Sequence, residues 1–294
     1  MTEPVHPDTP PAAPAGIIET HIHLWDREHI DYPWLARWPH LGPRVDAERL
    51  TGSLPALAGA VFIEAAARPD HAAAELAWLA EQAARCPFPT RVVAQLVAGD
   101  ADWWRGKPGA ELVSGLRRVM HHAPAGDITA SAFAGDMRAA GEAGLPVDLT
   151  IRHEQLAEVA ELCRHTPGTT FVLDHLGKPA PHLGGFDQWT SVLAAVAANP
   201  NTVCKLSSIA VQAGDPQFHP ETAQRYVARA LEVFGADRCL YGTDWPVLTH
   251  ATTFDTWLGL VSAALAPLSP IERDAVLRGN AARVYGFDQL PPPF

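Results

Sequence analysis

The sequence has only four cysteines, and none of them belongs to a Cys-x-x-Cys pair: Cys86, Cys163, Cys204 and Cys239. No cysteine stands on a glycine-rich turn beside a candidate base, which disfavours a cysteine nucleophile. Cys204 and Cys239 lie in or beside apolar runs that we predict to be buried strands. We therefore interpret the cysteines as small core side chains of a protein from a reducing, cytoplasmic compartment.

Long apolar runs and positive charge are also scarce. No apolar run approaches the roughly 18 residues that a membrane-spanning helix needs, so we expect no membrane partner. The 22 lysines and arginines are outnumbered by 33 aspartates and glutamates, and this formal charge of −11 disfavours a nucleic-acid partner. Residues 1–16 are rich in proline and alanine but lack the cationic and apolar regions of a signal peptide. We expect a flexible leader there.

The remainder, residues 17–294, alternates short apolar, β-branched runs with longer segments of helical period. The strand-like runs are Ile17–Thr20, Ala60–Glu64, Arg91–Leu96, Val113–Val119, Pro146–Ile151, Thr170–Asp174, Thr202–Leu206 and Arg238–Tyr241. The helical candidates include Asp46–Ala58, His71–Ala84, Ser131–Ala143, His153–His165, Phe186–Ala198, Pro220–Phe234 and a last helix from Ser269 to about Tyr285. Eight strands alternating with helices predict a single-domain α/β protein of the (β/α)8, or TIM-barrel, class. A doubly wound open sheet is the alternative, but no Gly-x-Gly-x-x-Gly motif follows the first strand.

Two histidines near the end of the first predicted strand, His21 and His23, are the clearest candidates for a functional site. Side chains two residues apart on a strand point to the same side, so both imidazoles reach one small region. Because the carboxyl ends of all strands in a parallel barrel meet at one face, we expect His175 and Asp244 to join them. Simpler explanations stay open: the histidines as hydrogen-bonded core residues, and Asp244 as the cap of a loop.

The same alternation directs further ionisable residues to this face: Glu64, Arg117, Arg152 and Lys205. Burying so many charged groups without partners is costly, so a shared polar site is the economical explanation. Lys205 stands within an apolar strand pattern and therefore needs an anionic partner or a ligand. Glu64 has an alternative place at the start of the next helix. Asp174, of opposite parity to its neighbour His175, is expected to anchor the strand end.

Six segments, taken in order, resemble those of a known enzyme family. They are Glu19-Thr-His-Ile-His-Leu-Trp25, Asp31-Tyr-Pro-Trp-Leu35, Phe171-Val-Leu-Asp-His-Leu-Gly-Lys-Pro179, Cys204-Lys-Leu-Ser207, Tyr241-Gly-Thr-Asp-Trp-Pro246 and Gly279-Asn-Ala-Ala-Arg283. The combination is similar to the sugar-lactone hydrolases of the amidohydrolase superfamily, in the branch of fuconolactonases, rhamnonolactonases and the pyrone-dicarboxylate lactonase. The resemblance covers nearly everything after Gly16. It implies a (β/α)8 barrel that hydrolyses a cyclic carboxylic ester, a sugar lactone, to the hydroxy acid.

The resemblance also implies roles for individual residues. Asp244 matches the aspartate that takes a proton from the attacking water, and the catalytic histidines that hold the carbonyl or the water are matched by His21, His23 and His175. The positions that bind substrate oxygens are matched by Arg117, Arg152 and Lys205, and Glu64 is grouped with them as substrate-binding. Trp25, Tyr32, Trp34 and Trp245 are expected to wall the pocket and stack on the sugar, with the long loop 26–43 covering it.

One departure from the family concerns metal. Metal-dependent members of the superfamily usually place a histidine at the end of the fifth strand, where this chain offers Thr150 and Arg152. His21, His23 and Asp244 supply three ligands for a metal, which with water suits zinc, but the usual set is incomplete. We therefore expect either no required cofactor or one divalent cation such as zinc.

Two other functions compete with lactone hydrolysis. The first is a metal-dependent decarboxylase of the same superfamily, against which the missing fifth-strand histidine counts. The second is a non-catalytic barrel that binds sugar acids. If the protein hydrolyses lactones, its expected partner is a small sugar lactone. The sequence leaves assembly into a homo-oligomer open.

Overall fold

The eight strand-like runs form one parallel sheet in the computed structural model, which describes residues 16–54, 57–212 and 219–287. The strands are β1 (Ile18–Ile22), β2 (Gly59–Ile63), β3 (Thr90–Gln95), β4 (Val113–Val119), β5 (Val147–Thr150), β6 (Phe171–Leu173), β7 (Thr202–Leu206) and β8 (Cys239–Tyr241). Each strand pairs with the next in chain order. The predicted leader lies outside the described residues, except for Gly16.

The first and last strands close the sheet into a barrel. The Thr20 hydroxyl donates to the carbonyl of Tyr241 at 2.6 Å, and Ile22 forms a parallel bridge with Trp245. Gly242 leaves space for this approach, because a Cβ there would lie 3.1 Å from Thr20 Oγ1, a tight contact. The (β/α)8 prediction is confirmed, and the open-sheet alternative is wrong.

Helices follow the strands around the outside of the barrel. They are α1 (Ala47–Ser53), α2 (Ala72–Ala83), α3 (Ser131–Glu142), α4 (Leu156–His165), α5 (Phe186–Ala197), α6 (Ile209–Gln212), α7 (Pro220–Phe234), α8 (Phe254–Leu265), α9 (Pro270–Asp274) and α10 (Asn280–Tyr285). The first predicted helix is shorter than expected and ends at Ser53. Within the described residues, no helix is long and apolar enough to span a bilayer.

The predicted last helix is present but interrupted. Ser269 and Glu272 form the expected reciprocal cap at its start, and Gly286 ends it in a left-handed conformation. Between these points the five residues from Ala275 to Gly279 form a π-helical segment. The helix delivers Tyr285 to the inside of the barrel, where the side chain is fully buried.

The long loop after β1 folds back over the neighbouring strand end. It contains two short 3-10 turns, Pro33–Arg37 and Pro39–Leu41, and a two-residue antiparallel pairing of Trp25–Asp26 with Arg44–Val45. The indole of Trp34 donates to the carbonyl of Ala65 at 2.6 Å, just beyond β2. The loop is therefore fixed to the carboxyl-terminal face of the barrel.

Candidate active site

One carboxylate and three imidazoles meet at the carboxyl-terminal face, at the ends of β1, β6 and β8. Asp244 Oδ1 lies 3.4 Å from His23 Nε2 and 3.8 Å from His21 Nε2. The ring of His175 lies 4.5 Å from that of His21, centroid to centroid. All four side chains are buried. The structure thus brings together the four predicted catalytic residues, whose roles stay predictions.

His23 has a defined protonation pattern. Its Nδ1 lies 3.0 Å from the carbonyl oxygen of Ile63. A carbonyl only accepts hydrogen bonds, so Nδ1 carries the proton and the Nε2 of a neutral ring keeps a lone pair. That lone pair faces His21 Nε2 at 3.1 Å. This distance suits a hydrogen bond donated by a protonated Nε2 of His21. It equally suits the coordination of one cation by both nitrogens.

The other nitrogen of His21 faces both a cation and an anion. His21 Nδ1 lies 3.2 Å from Lys205 Nζ and 3.3 Å from Asp174 Oδ1. It can accept from the ammonium or donate to the carboxylate, according to where the ring carries its proton. Burial lowers the pKa of His21 well below its usual value, and the charge of Lys205 adds to this shift. The ring is therefore neutral at pH 7.

An unusual backbone presents His175 to the site. Its φ is 56°, and Leu176 and Lys178 have φ values of 56° and 47°, a left-handed conformation that non-glycine residues seldom adopt. This turn breaks the strand alternation, so Asp174 and His175 both face the centre of the barrel. Besides the predicted anchoring of the strand end, Asp174 therefore also contacts His21, at 3.3 Å between its Oδ1 and the ring Nδ1. Burial lowers the pKa of His175 well below its usual value, although Asp244 opposes the shift.

Asp244 is held as a carboxylate by its neighbours. Burial favours the neutral acid, but His175, His23 and the Ser208 hydroxyl outweigh it and hold the pKa of Asp244 below its usual range. Ser208 donates to Oδ2, which leaves Oδ1 facing the imidazoles. Asp244 and Ser208 both have positive φ values, 71° and 57°. Strained backbone thus recurs at this face of the barrel, as it often does at functional sites.

A buried ionic network lies beneath these groups. Arg117 Nη1 is 3.0 Å from Glu64 Oε1, and its Nε is 3.2 Å from Asp174 Oδ2. Lys205 Nζ is 3.2 Å from Asp174 Oδ1 and 2.6 Å from Asp148 Oδ2. The expectation that Lys205 needs an anionic partner is confirmed, since both Asp148 and Asp174 pair with it. Three predicted substrate-binding residues thus form ion pairs with other side chains of the protein: Glu64, Arg117 and Lys205.

The other predicted substrate-binding residues differ in how far they are exposed at the carboxyl-terminal face of the barrel. Arg152 is exposed, with Nη2 3.3 Å from His122 Nδ1. Trp34 is half-buried, and its ring meets that of Trp25 edge to face at 5.9 Å. Trp25 itself is fully buried, and Tyr32 and Trp245 are nearly so. Of the four predicted aromatic residues, Trp34 is therefore the most accessible.

The donor set fits a divalent cation. The three atoms His21 Nε2, His23 Nε2 and Asp244 Oδ1 lie 3.1, 3.4 and 3.8 Å apart. Tetrahedral zinc, with bonds of about 2.0–2.1 Å, separates its ligands by roughly 3.3 Å. His175 joins His21 and Asp244 in a second group whose ligand atoms lie within 4.8 Å of one another. The fifth-strand position is filled differently, since the Thr150 hydroxyl donates to Asp174.

Sequence reasoning did not assign as site residues five that complete the site: Asp148, Asp174, Lys178, Ser208 and Tyr285. Asp148 shares parity with Thr150 on a predicted buried strand, a signal that resembles that of Lys205 and was available. Tyr285 carries no such signal, because its hydroxyl reaches Asp148 across 137 residues of sequence, at 2.9 Å from Oδ2. Lys178 and Ser208 follow strands in positive-φ conformations that the sequence does not reveal.

Known proteins resemble this chain in sequence and in fold. The chain matches the family model described as Amidohydrolase over residues 18–287. An L-fucono-1,5-lactonase from Burkholderia multivorans (strain ATCC 17616 / 249) is 30% identical, over 94% of this chain and 97% of the relative. A zinc-bound amidohydrolase structure from Burkholderia multivorans has a TM-score of 0.77 at 28% identity, covering 94% of this chain and 99% of that one. A putative 2-pyrone-4,6-dicarboxylic acid hydrolase from Pseudomonas putida shares the fold, with a TM-score of 0.70 at 20% identity, over 93% and 98% of the two chains. On this sequence and structural similarity, the chain belongs to the amidohydrolase family.

Proposed function

We propose that this protein hydrolyses a sugar lactone to the corresponding hydroxy acid. The observation that carries the proposal is the Asp244 carboxyl group facing the imidazoles of His21, His23 and His175 in a buried site. The 30% identical relative named L-fucono-1,5-lactonase supports the same reaction class.

Asp244 acts as the general base. A carboxylate held below its usual pKa is ionised at pH 7 and accepts a proton without first losing one. Oδ1 is the atom for this task, since Ser208 occupies Oδ2. Water that donates to Oδ1 is directed at the lactone carbonyl, and a positioned base of this kind contributes about 10²–10⁴-fold to the rate.

His175 stabilises the oxygen that becomes negative when water adds to the carbonyl. One ring nitrogen is fixed by the Ser207 hydroxyl at 2.8 Å, so the other is directed toward His21 and Asp244. The half-buried ammonium of Lys178, which is not paired with a carboxylate among the described residues, interacts electrostatically with Asp244. Fixed donors and charge aimed at a developing oxyanion are a large part of most ester-cleaving catalysis.

His21, His23 and Asp244 are the residues that would hold a divalent cation, with His175 beside them. When bound there, such a cation polarises the ester carbonyl and lowers the pKa of coordinated water. The buried network supports these ligands, because Lys205 and Asp174 fix the orientation of the His21 ring. A carboxylate behind a histidine ligand serves this purpose in many metal sites.

The aromatic residues give the sugar an apolar contact. Trp34 presents a partly accessible ring at the face, supported from behind by the buried Trp25. Rings of this kind pack against the C–H faces of a sugar, while the polar groups of the site bind its oxygens.

The four cysteines are free thiols, which supports the proposed reducing, cytoplasmic setting.

A lactone panel tests the proposal. Purified protein is mixed with pentono-, hexono- and 6-deoxyhexono-lactones in weak buffer, and acid release is followed by the fall in pH. Enzyme-dependent acid release from at least one lactone is the expected result. Release of carbon dioxide from aromatic acids, without lactone turnover, would instead identify a decarboxylase. Binding of sugar acids without any turnover would identify a non-catalytic barrel.

A further inference from the structure

A cavity of about 310 Å³ opens at the carboxyl-terminal face of the barrel, between the segments that follow β4, β5 and β6. Its lining is rich in nitrogen bases and cations: His121, His122, Arg152, Lys178 and His182. Pockets that bind small molecules begin at about 300 Å³, so the space suits a substituent or a small ring. The chain as a whole carries a formal charge of −11, opposite in sign to the arginine and lysine side chains of this cavity.

The arginine and the lysine that line this cavity lack carboxylate partners within the part of the chain that the structure describes. Among the described residues, neither Arg152 nor Lys178 lies within salt-bridge distance of an acidic group. Arg152 Nη2 instead approaches His122 Nδ1 at 3.3 Å, and Lys178 Nζ approaches His121 Nδ1 at 3.4 Å. The one carboxylate in the lining, Glu154, pairs with His153 at 3.3 Å.

This arrangement contrasts with the cations beneath the site. Arg117 and Lys205 are each held by two protein carboxylates. Their charges are therefore satisfied within the folded chain, whereas those of Arg152 and Lys178 are available to a ligand. A concave surface with one sign of charge and few counter-charges raises the local concentration of the opposite ion.

Lys178 connects the cavity to the reacting centre. It follows His175 by three residues, and its charge interacts with both Asp244 and Asp174. Burial lowers the pKa of Lys178 to about 8, with Asp244 opposing the shift and Arg117 adding to it. An anion in the cavity would favour the charged ammonium. A ligand that spans both regions therefore places its negative end beside Lys178 and Arg152.

We propose that the cavity binds an anionic substituent of the lactone, a carboxylate or a phosphate, so that the preferred substrate is an acidic sugar lactone. This inference rests on the proposed lactone hydrolysis and specifies its substrate class. Arg152 supplies a guanidinium fork, which binds planar carboxylate or phosphate oxygens in pairs. His122 and His182, both exposed, add hydrogen-bond donors at the outer edge.

The test compares three lactones that differ only at the carbon farthest from the ester: a neutral hexonolactone, its 6-phosphate and the monolactone of the hexaric acid. We expect kcat/KM for one of the two anionic lactones to exceed that of the neutral lactone by about tenfold or more, the effect of a charge-assisted hydrogen bond. Added NaCl should reduce the difference. Comparing the phosphate with the carboxylate identifies the anion. Equal kcat/KM for neutral and anionic lactones overturns the proposal.

Two variants test whether the preference for anionic lactones arises in the cavity. Arg152→Gln should lower kcat/KM for the favoured anionic lactone about ten times more than for the neutral one. Arg164→Gln is the matched control, since it removes the same charge from an exposed position on α4. Equal losses on both lactones with Arg152→Gln contradict an anion site.

Calorimetry separates this proposal from the proposed function. Inorganic phosphate and the ring-opened hexarate dianion are titrated into the wild-type protein and Arg152→Gln, without any need for turnover. Binding that Arg152→Gln loses supports the anion site even where no lactone is hydrolysed. Lactone turnover with neither anion binding nor an anionic preference overturns the anion site and leaves lactone hydrolysis standing.

Discussion

Lys205 Nζ lies 2.6 Å from Asp148 Oδ2, and both side chains are fully buried inside the barrel. The same ammonium reaches Asp174 and the Nδ1 of His21, so one lysine joins two carboxylates to a candidate catalytic ring. Burial raises the pKa of Asp148 to about 6, although Lys205 opposes this shift. The site at the strand ends thus rests on a charged layer that is internally paired.

Removing this lysine should destabilise the fold strongly. Lys205→Met leaves Asp148 and Asp174 buried without their main cation, and breaking a buried pair in this way typically costs about 3–5 kcal/mol. Urea denaturation followed by circular dichroism measures the free energy of unfolding. Lys107→Met, at an exposed position, is the control and should change it little. A loss below about 1 kcal/mol for Lys205→Met would mean that the network contributes little to stability.

The hydroxyl of Tyr285 should stabilise the same layer to a smaller degree. It donates to Asp148 at 2.9 and 3.0 Å, so Tyr285→Phe should cost about 1–3 kcal/mol. Tyr241→Phe is a matched control, because the Tyr241 hydroxyl is buried without a hydrogen-bond partner among the described residues. Thermal unfolding of the two variants gives the comparison. Equal melting temperatures for both would argue against a specific contribution from Tyr285.

The pKa of Lys178 predicts an alkaline limb in the pH profile. The ammonium is charged below about pH 8 and loses its proton above it, so kcat/KM for an acidic lactone should fall as the pH rises through about 8. Because arginine stays protonated, Lys178→Arg should move or remove this limb. Initial rates from pH 6 to 9, corrected for spontaneous hydrolysis, give the profile. An unchanged limb in Lys178→Arg would assign it to another group.

The lowered pKa of Lys178 also makes the stability of the fold depend on pH, and stability should rise with pH where kcat/KM falls. The folded-state pKa of Lys178 lies below its ordinary value of 10.5, so the folded chain releases this proton before the unfolded chain does. Its contribution to stability is therefore fully present above the unfolded value and is lost as the pH falls through about 8. At neutral pH the charge of this half-buried ammonium costs stability, and Lys178→Met should raise the melting temperature at pH 7. A lower melting temperature would show that the charged lysine stabilises the fold.

The donor geometry predicts a single zinc site. Zinc titrated into chelator-treated protein should bind with a stoichiometry near one, as measured by calorimetry, because three donor atoms already lie at zinc-like separations. His21→Gln should abolish this binding, whereas His165→Gln, at an exposed position on α4, should preserve it. Equal zinc binding by both variants would place the ion elsewhere.

Strand alternation was sufficient to predict much of this site from sequence. His21 and His23 share a face because they are two residues apart at the carboxyl end of β1, and the parallel barrel brings Asp244 to them. The pattern was misapplied at the end of β6, because Asp174 shares parity with Val172, which packs inside the barrel, and His175 reaches the same side only through its left-handed backbone. It also gave no account of Tyr285, whose position depends on how the last helix packs against the barrel. Local periodicity predicts faces, whereas partners distant in sequence depend on the whole fold.

The ring-opening role of Asp244 is the central claim, and the turnover number of Asp244→Asn tests it most directly. Asparagine keeps the shape but cannot take the proton, so kcat on the best lactone should fall about 10²–10⁴-fold while the melting temperature stays close to that of the wild type. Asp187→Asn, on the exposed face of α5, should retain full turnover. A folded Asp244→Asn protein with near-normal kcat would contradict the account.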